Sequence, residues 1–413
     1  MFAKAATTGM TPEARPEMAR QGWHTLAILA ALMGFASIST DLYLPAMPAM
    51  ARALGASAGS VEWTISGYLI GFSVGQLLWG PISDRYGRRL PVAAGLVLFV
   101  IGSAGCALAG SVPAIILWRI VQALGACASV VLARAMVRDL YAGARAAQMM
   151  STLMTVMAIA PLLGPLVGGQ ILAVSDWRTI FWVLVAVGMA TLAALFTMPE
   201  TLAVDRRRVE PLWRAVFGYG TLLRDPAILA YIAAGGFFYG GMFAFIAGSP
   251  FAYVTYHHVS PQAYGLLFGL SVVGIMGANL VNARLVARFG ADSLLRSGTL
   301  GAAAAGLLLA VSARTGWGGL WGLVLPLFAF ASATGFIVAN SIVNALARRP
   351  DRAGAVSALV GAAQYGAGIA SSALVGAFAD GTPWPMGWVI AAAGLGSAFS
   401  FWALSRRSPR ISF

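Results

Sequence analysis

Long apolar segments recur along the whole chain, separated by short polar stretches, and none alternates with the two-residue period of a half-buried strand. An α-helix needs about 20 apolar residues to cross a bilayer, whereas barrel strands are shorter and alternate. The pattern therefore predicts an all-α polytopic membrane protein. Its twelve transmembrane helices, in two six-helix bundles, are expected at residues 23–49, 60–80, 90–109, 112–135, 147–172, 179–198, 227–255, 262–283, 294–312, 317–346, 353–379 and 384–404.

The basic residues agree with this number of helices. When the predicted loops are assigned alternately to the two sides, 23 of the 27 lysines and arginines fall on one side. Cytoplasmic loops carry such an excess, so both termini are expected in the cytoplasm and the chain in the bacterial inner membrane. The net charge of +13 is accordingly interpreted as a topology signal, and no nucleic-acid partner is expected.

Composition leaves little room for a soluble domain, since 59% of the residues are hydrophobic and only 10% are charged. We expect a cytoplasmic tail at residues 1–22, an N-terminal bundle at 23–198, a linker at 199–226, a C-terminal bundle at 227–405 and a tail at 406–413. The linker is expected to be either a short amphipathic helix on the membrane face or a solvated connector.

The two predicted bundles are related by a repeat. Asp84-Arg85-Tyr86-Gly87 after the second span corresponds to Ala287-Arg288-Phe289-Gly290 after the eighth, about half a chain length later. Pro45 and Pro250 are separated by nearly the same distance. Such an offset indicates duplication of a six-helix unit.

Two ionisable residues stand inside apolar segments, Asp41 in the first span and Arg119 in the fourth. Charges at that depth are costly and usually functional. Counting along the helices places each roughly 10–12 Å from the outer membrane surface. A carboxylate beside a guanidinium stays ionised, and in a dry site it protonates, so this pair is expected to couple transport to protons. A permanent ion pair between spans 1 and 4 is the alternative.

The sequence contains no pattern that indicates an enzyme active site or a cofactor-binding site. No Gly-Lys-Ser/Thr phosphate loop is present, so a proton gradient rather than ATP is the expected energy source. The three histidines are scattered, and Cys106 and Cys127 lie in apolar segments where buried thiols are expected. No enzymatic activity, metal site or cofactor is predicted.

A distinctive loop joins spans 2 and 3 and reads Gly80-Pro81-Ile82-Ser83-Asp84-Arg85-Tyr86-Gly87-Arg88-Arg89. Its glycines permit close backbone approach and a tight turn, and Asp84 can pair with arginines across the bundle interface. The string resembles the signature loop of the major facilitator superfamily. That resemblance implies a cytoplasmic latch, whereas a rigid turn is the simpler alternative. The latch residues would be Gly80, Asp84, Arg85, Gly87, Arg88 and Arg89.

Span 5 carries two prolines and three glycines within nine residues. Proline bends a helix, and glycines allow a neighbouring helix to pack closely. The pattern resembles the signature of drug:proton antiporters within that superfamily, and kinked packing without a transport role is the alternative. The residues concerned are Pro161, Gly164, Pro165, Gly168 and Gly169.

Three further strings narrow the resemblance: residues 40–48, Arg119 with Gln122 and Gly125, and residues 134–141. Together they resemble the bicyclomycin and chloramphenicol resistance (Bcr/CflA) group, over residues 23 to 405. The resemblance implies a monomer that exports amphipathic phenicol, bicyclomycin or sulfonamide-type drugs by alternating access. Met33 stands where some multidrug relatives carry a second carboxylate, so Asp41 is expected to act alone.

Aromatic and amide side chains are expected to line a wide apolar substrate pocket. Each of them could equally pack between helices. A metabolite exporter or facilitator on the same scaffold remains the alternative function, and a non-transport role would leave Asp41 and Arg119 unexplained. The pocket residues are predicted to be Tyr43, Tyr68, Phe72, Gln76, Gln122, Phe237, Phe238, Phe243, Asn340, Gln364 and Tyr365.

Overall fold

The computed structural model describes residues 14–207, 222, 225–349 and 353–405, and for 14–22, 144, 147, 206, 353–355, 358 and 404–405 only the backbone. Both predicted tails and most of the predicted linker therefore lie largely outside the described residues. The described part is helical throughout. Its helices are α1 (Ala14–Asp41), α2 (Met47–Ala53), α3 (Ala58–Tyr86), α4 (Arg89–Leu108), α5 (Val112–Leu140), α6 (Gly143–Val174), α7 (Trp177–Leu195), α8 (Pro226–Pro250), α9 (Pro261–Phe289), α10 (Ala291–Thr315), α11 (Gly319–Ser332), α12 (Thr334–Arg348), α13 (Ala353–Ala377) and α14 (Trp384–Ser405).

Within the described residues, 10 helical segments are long and apolar enough to cross a membrane. The two remaining predicted spans are α3 and α13, helices of 29 and 25 residues. Each carries glycines, serines and one glutamine, Gln76 or Gln364, among its apolar residues. At 1.5 Å per residue both are still long enough to span the roughly 30 Å hydrocarbon core.

Capping residues set where several helices begin. Ser111 and Ser260 accept hydrogen bonds from the backbone N–H of the third residue of α5 and α9, and a proline follows closely in both. Gly87 and Gly290 end α3 and α9 with φ of 88° and 76°, a region that favours glycine. These two stops belong to the matched strings of the sequence repeat.

The first helix of each bundle is interrupted near its end, at a proline. A short 3₁₀ turn with Pro45 follows α1, and a π-helix (Phe251–Tyr256) follows Pro250 at the end of α8. Because of this break, Asp41 is the last residue of α1 rather than lying inside a continuous helix over residues 23–49. The acid thus stands at a helix terminus.

Helices α1–α7 form one bundle and α8–α14 the other, and they meet through α6 with α9 and α3 with α13. We call the end at which α3, α5 and α9 finish the arginine-rich end. At the opposite end the bundles touch through glycines: Gly169 lies against Pro261, and a Cβ at Gly59 would overlap the carbonyl oxygen of Gly376. Close glycine contacts of this kind hold the opposite end shut.

The two bundles make fewer close contacts toward the arginine-rich end. Gln76 faces Gly361, but a Cβ at Gly80 or Gly277 would meet nothing within 4 Å. Residues 148–159 of α6 and 277–289 of α9 are mostly exposed. The molecule is therefore closed at its opposite end and open at its arginine-rich end.

Candidate functional site

Arg119 is fully buried in α5. Its guanidinium lies between the rings of Tyr43 and Tyr68, 4.3 Å from each centroid. Nη1 donates to the Ser39 carbonyl at 2.7 Å and to Gln122 Oε1 at 2.6 Å. Nε and Nη2 are buried without a hydrogen-bond partner among the described residues. A buried cation with spare donors is poised for an anionic partner.

Four helices hold this arrangement in place. The Tyr43 hydroxyl is hydrogen-bonded to Thr64 Oγ1 at 3.0 Å, and that of Tyr68 to Ser39 Oγ. Gln122 lies one turn after Arg119 on the same face of α5 and donates from Nε2 to Ser103 Oγ at 2.7 Å. Gln122 and Tyr43 are therefore fully buried supports for the arginine, and not part of an open pocket as predicted.

Asp41 is 5% exposed and packs against α6, where a Cβ at Gly164 would come within 2.8 Å of its own Cβ. No hydrogen bond or ion pair reaches its carboxyl from the part of the chain that the structure describes. An ion pair between Asp41 and Arg119, as considered from the sequence, is not formed within the described residues. Ser39, Gln122 and two rings hold the arginine, whereas α6 holds the end of α1.

An ionised carboxylate so buried and unpaired would cost several kcal/mol, so Asp41 is neutral in this state. The spare donors of Arg119 and the unpaired acid are thus complementary, yet held apart. A small shift of the end of α1 relative to α5 would let them meet.

The glycines of the span-5 motif lie on two faces of α6. Gly164 and Gly168 contact the end of α1, where a Cβ at Gly168 would overlap the Leu42 carbonyl oxygen. Gly169 contacts Pro261 at the start of α9 in the other bundle. Helix α6 runs without a break through Pro161 and Pro165. The motif thus joins the acid to the bundle interface.

The loop after α3 forms its ion pairs within one bundle. Arg88 binds Asp84 at 2.6 Å and Asp139 at 2.8 Å. Among the residues that the structure describes, Asp84 forms no ion pair across the bundles, because the arginine-rich ends are apart. Gly80 has free space around it, so close packing does not require it in this state. Arg89 donates to the Phe196 carbonyl at 2.7 Å, and Arg85 stacks on Tyr86.

Glu200, which the sequence analysis did not single out, caps this loop. Its carboxylate accepts from the backbone N–H of Arg88 at 2.7 Å and of Arg89 at 3.1 Å, at the start of α4. A Cβ at Gly87 would come within 2.7 Å of Glu200 Oε2. Partial burial raises the pKa of Glu200, but backbone N–H donors together outweigh this effect. The pKa of this carboxyl therefore lies below its usual 4.5, with donors from Arg88, Leu202, Arg89 and Thr201.

Five aromatic rings form a continuous ladder between the bundles. Tyr68 and Phe72 of α3 lie 6.2 Å apart, and Phe72 is 5.2 Å from Tyr365 of α13. Tyr365 is 6.3 Å from Phe243 of α8, which lies 5.9 Å from Tyr239. The ladder begins at the ring that stacks on Arg119 and crosses to the other bundle. It brings together four of the predicted pocket residues.

Other predicted pocket residues lie elsewhere in the C-terminal bundle. Phe238 stacks on Phe330 at 5.0 Å, and Asn340 donates to Asn282 Oδ1 at 2.8 Å, both in the bundle interior. The ring of Phe237 is 47% exposed and lies beside Gly396 of α14. It is therefore on a different face of α8 from the glycines of α8 that contact α13. Helical rotation of about 100° per residue separates adjacent phenylalanines in this way.

Two glutamines flank the aromatic ladder. Gln76 is half-buried and faces Gly361 of α13. Gln364 is buried, and its Nε2 has no hydrogen-bond partner within the described ranges. A spare amide donor in an apolar setting can orient a polar group of a ligand.

The sequence analysis predicted no functional role for two charged residues at this interface. Arg134, assigned there to the cytoplasmic side, is half-buried within α5, 3.7 Å from Met157 Sδ, and interacts electrostatically with Tyr239 and Tyr365. Glu62 is buried in α3. Both fall inside predicted spans, 112–135 and 60–80, so the argument applied to Asp41 would have found them.

Comparisons with known proteins agree with this architecture. The profile described as "Major Facilitator Superfamily" matches residues 29–255. The "Uncharacterized MFS-type transporter YdgK" of Bacillus subtilis is 33% identical over 92% of this chain and 95% of its own. The "Bicyclomycin resistance protein homolog" of Haemophilus influenzae is 29% identical over 93% and 96%. The "Chloramphenicol resistance protein" of Pseudomonas aeruginosa is 32% identical over 74% and 72%.

Solved structures show the same fold at lower identity. The partially occluded, inward-open xylose transporter XylE from E. coli is 17% identical, with a TM-score of 0.72 over 92% of this chain and 97% of its own. The nucleoside transporter NupG is 16% identical, with a TM-score of 0.73 over 92% and 98%. From the profile match and the relatives, the chain belongs to the Major Facilitator Superfamily, in its bicyclomycin and chloramphenicol resistance (Bcr/CflA) branch.

Proposed function

We propose that this transporter is a proton-driven antiporter that exports amphipathic drugs from the bacterial cytoplasm by alternating access. The observation that carries the proposal is the unpaired acid Asp41 beside the incompletely bonded Arg119, at the junction of α1, α5 and α6. In the proposed topology the arginine-rich end faces the cytoplasm, with both termini on that side of the inner membrane.

Proton binding and bundle movement are linked through Asp41. In the cytoplasm-open state the neutral carboxyl packs against Gly164. When its proton leaves to water in the cytoplasmic opening, the carboxylate is drawn to the free Nε and Nη2 of Arg119. The resulting shift of α1 against the glycines of α6 is passed to α9 through Gly169. A proton arriving from outside then breaks the pair and restores the present arrangement.

The aromatic ladder is the proposed substrate surface. Rings from both bundles offer broad apolar contact with few hydrogen-bonding groups, which suits many amphipathic molecules bound weakly. Gln76 and the unpartnered amide of Gln364 supply the polar contacts. The names of relatives support phenicol, bicyclomycin or related antibiotics as substrates. Because the ladder crosses the interface, its shape changes as the bundles rock.

Drug efflux from cells that express Asp41→Asn tests the coupling. We expect active chloramphenicol efflux by the parent to be abolished by a protonophore and to be absent in Asp41→Asn at equal membrane abundance. The Asn side chain keeps the shape of the neutral acid but cannot release a proton. Asp205→Asn, at an exposed acid in a short 3₁₀ turn after α7, is the matched control and should export normally.

Two results would count against the proposal. Undiminished active efflux by Asp41→Asn would remove the coupling role of the acid. Parent efflux that persists with protonophore would exclude a proton gradient as the energy source. Unchanged resistance to every drug tested would instead favour export or uptake of an endogenous metabolite.

A further inference from the structure

A second buried acid, Glu62, lies at the closed opposite end of the molecule. It stands in the second turn of α3, is 3% exposed, and its Oε2 is buried without a hydrogen-bond partner among the described residues. The carboxyl borders a cavity of about 40 Å³ between the bundles. Across that cavity lie Gly248, Ala252, Val375 and Met386 of the C-terminal bundle.

No cation forms an ion pair with the Glu62 carboxyl in the part of the chain that the structure describes. The remaining polar groups of the cavity wall are the hydroxyls of Thr255 and Thr382. The charged residues and histidines on the neighbouring elements at this end form no salt bridge with Glu62 within the described residues. Asp380 accepts from Thr382 N at 2.9 Å, and His257 lies against the Tyr256 ring. The groups concerned are Arg52 at the end of α2, His257 and His258 after the π-helix, and Asp380 before α14.

While the opposite end of the molecule is closed, burial and the lack of a partner determine the protonation state of Glu62. The cavity is small and lined mainly by apolar side chains, which cannot stabilise a carboxylate. The acid is therefore neutral when the bundles touch. When they separate at this end, Glu62 faces water, where a carboxyl ionises at neutral pH.

We propose that Glu62 is a proton-sensing gate residue, which takes up one proton from the external side as the opposite end closes and releases it there on opening. The proposal rests on the alternating-access movement of the proposed function, but not on its proton coupling through Asp41. The closed interface separates Glu62 from the arginine-rich opening, so this proton returns to the side from which it came. External acid thereby favours return of the empty carrier to the state open at the arginine-rich end.

Spin labels at the opposite end would report the gate directly. We place one on each bundle, at the exposed Ala53→Cys and Trp317→Cys positions, and the fully buried Cys106 and Cys127 remain. Purified protein in nanodiscs is measured without substrate between about pH 5 and 9, a range that spans the titration of a carboxyl from buried to hydrated. Because one proton links closure to pH, the closed-to-open ratio should fall by up to about tenfold per pH unit.

Substitutions at Glu62 separate a proton sensor from a structural contact. Glu62→Gln mimics the neutral acid, so in an Asp41→Asn background, where Asp41 cannot titrate, its closed-to-open ratio should stay high and change by less than about twofold over the same range. Glu62→Asp should restore the pH dependence, since it keeps the carboxyl. Glu62→Leu, a second variant without a titratable group, should also be insensitive to pH.

The outcome is independent of the coupling experiment. In an Asp41→Asn background the pH response should remain, whatever that variant does to efflux. A Glu62→Gln or Glu62→Leu protein that follows pH as the parent does would overturn the proposal. Loss of the response in Asp41→Asn alone would overturn it as well and assign the effect to Asp41.

Discussion

At the scale of single residues, the burial of Arg119 is explained by what surrounds it. Two tyrosine rings cover the faces of the guanidinium, and two acceptors bind one of its nitrogens. A planar, delocalised cation can use both kinds of contact at once, whereas an ammonium group cannot. Arginine is therefore required for its shape as well as its charge.

Replacing Arg119 by lysine should destabilise the protein although the charge is kept. Each ring contact is worth about 0.5–2 kcal/mol, so we expect a loss of roughly 1–3 kcal/mol, seen as a lower Tm in detergent. Arg52→Lys, at an exposed site at the end of α2, is the control and should leave the Tm unchanged. An unaltered Tm for Arg119→Lys would mean that the stack contributes nothing.

Sequence reasoning found the residues of this centre but not their pairing. An acid and an arginine within apolar spans stand out, because charge in a membrane demands a reason. The spacing of residues along one helix cannot show that Ser39 and Gln122 accept hydrogen bonds from the arginine, or that Gly164 packs against the acid. Such competition between partners depends on contacts among four helices.

At the scale of elements, the start of α4 depends on an acid distant in sequence. Glu200 accepts N–H groups that the first turn of α4 leaves unsatisfied, and its negative charge favours a helix N-terminus. The turn itself needs Gly87, with φ of 88° and no room for a Cβ beside Glu200. A local cap such as Ser111, which directly precedes its helix, can be predicted from the sequence. Glu200 lies after α7, far from α4 in sequence, so its capping role cannot.

Glu200→Gln should lower stability in a pH-dependent way. Because the pKa of Glu200 is depressed by folding, its contribution is present above the usual 4.5 and is lost as the pH falls through the folded value. We expect Glu200→Gln to be less stable than the parent by about 1 kcal/mol near pH 7, a modest loss because the group is exposed.

Thermal unfolding of the two proteins in detergent, from neutral to acid pH, measures this difference. The two Tm curves should converge below the usual pKa of 4.5. Asp205→Asn, at an exposed acid nearby in the chain, is the control and should match the parent at every pH. A gap between parent and Glu200→Gln that persists unchanged in acid would contradict the charge-based cap.

At the scale of the whole molecule, hydropathy and arginine placement anticipated the order and approximate bounds of the helices. Helices α3 and α13, each with a glutamine among its apolar residues, contact each other at the interface between the bundles. Sequence could not show which end is shut, because both states bury similar helices and differ only in contacts such as Gly59 with Gly376. Conformation follows from that small set of contacts.

Gly59→Ala should therefore shift the molecule toward the state open at its opposite end. The added methyl group would overlap a backbone carbonyl oxygen, which cannot move aside as a side chain could. Overpacking of this kind costs about 1–3 kcal/mol, which lowers the closed-to-open ratio by roughly tenfold or more. Spin labels at Tyr86→Cys and Phe289→Cys, exposed at the arginine-rich end, should approach each other as that end closes. Gly277→Ala, where a Cβ meets nothing within 4 Å, is the matched control, and equal distances in both variants would refute this account of the gate.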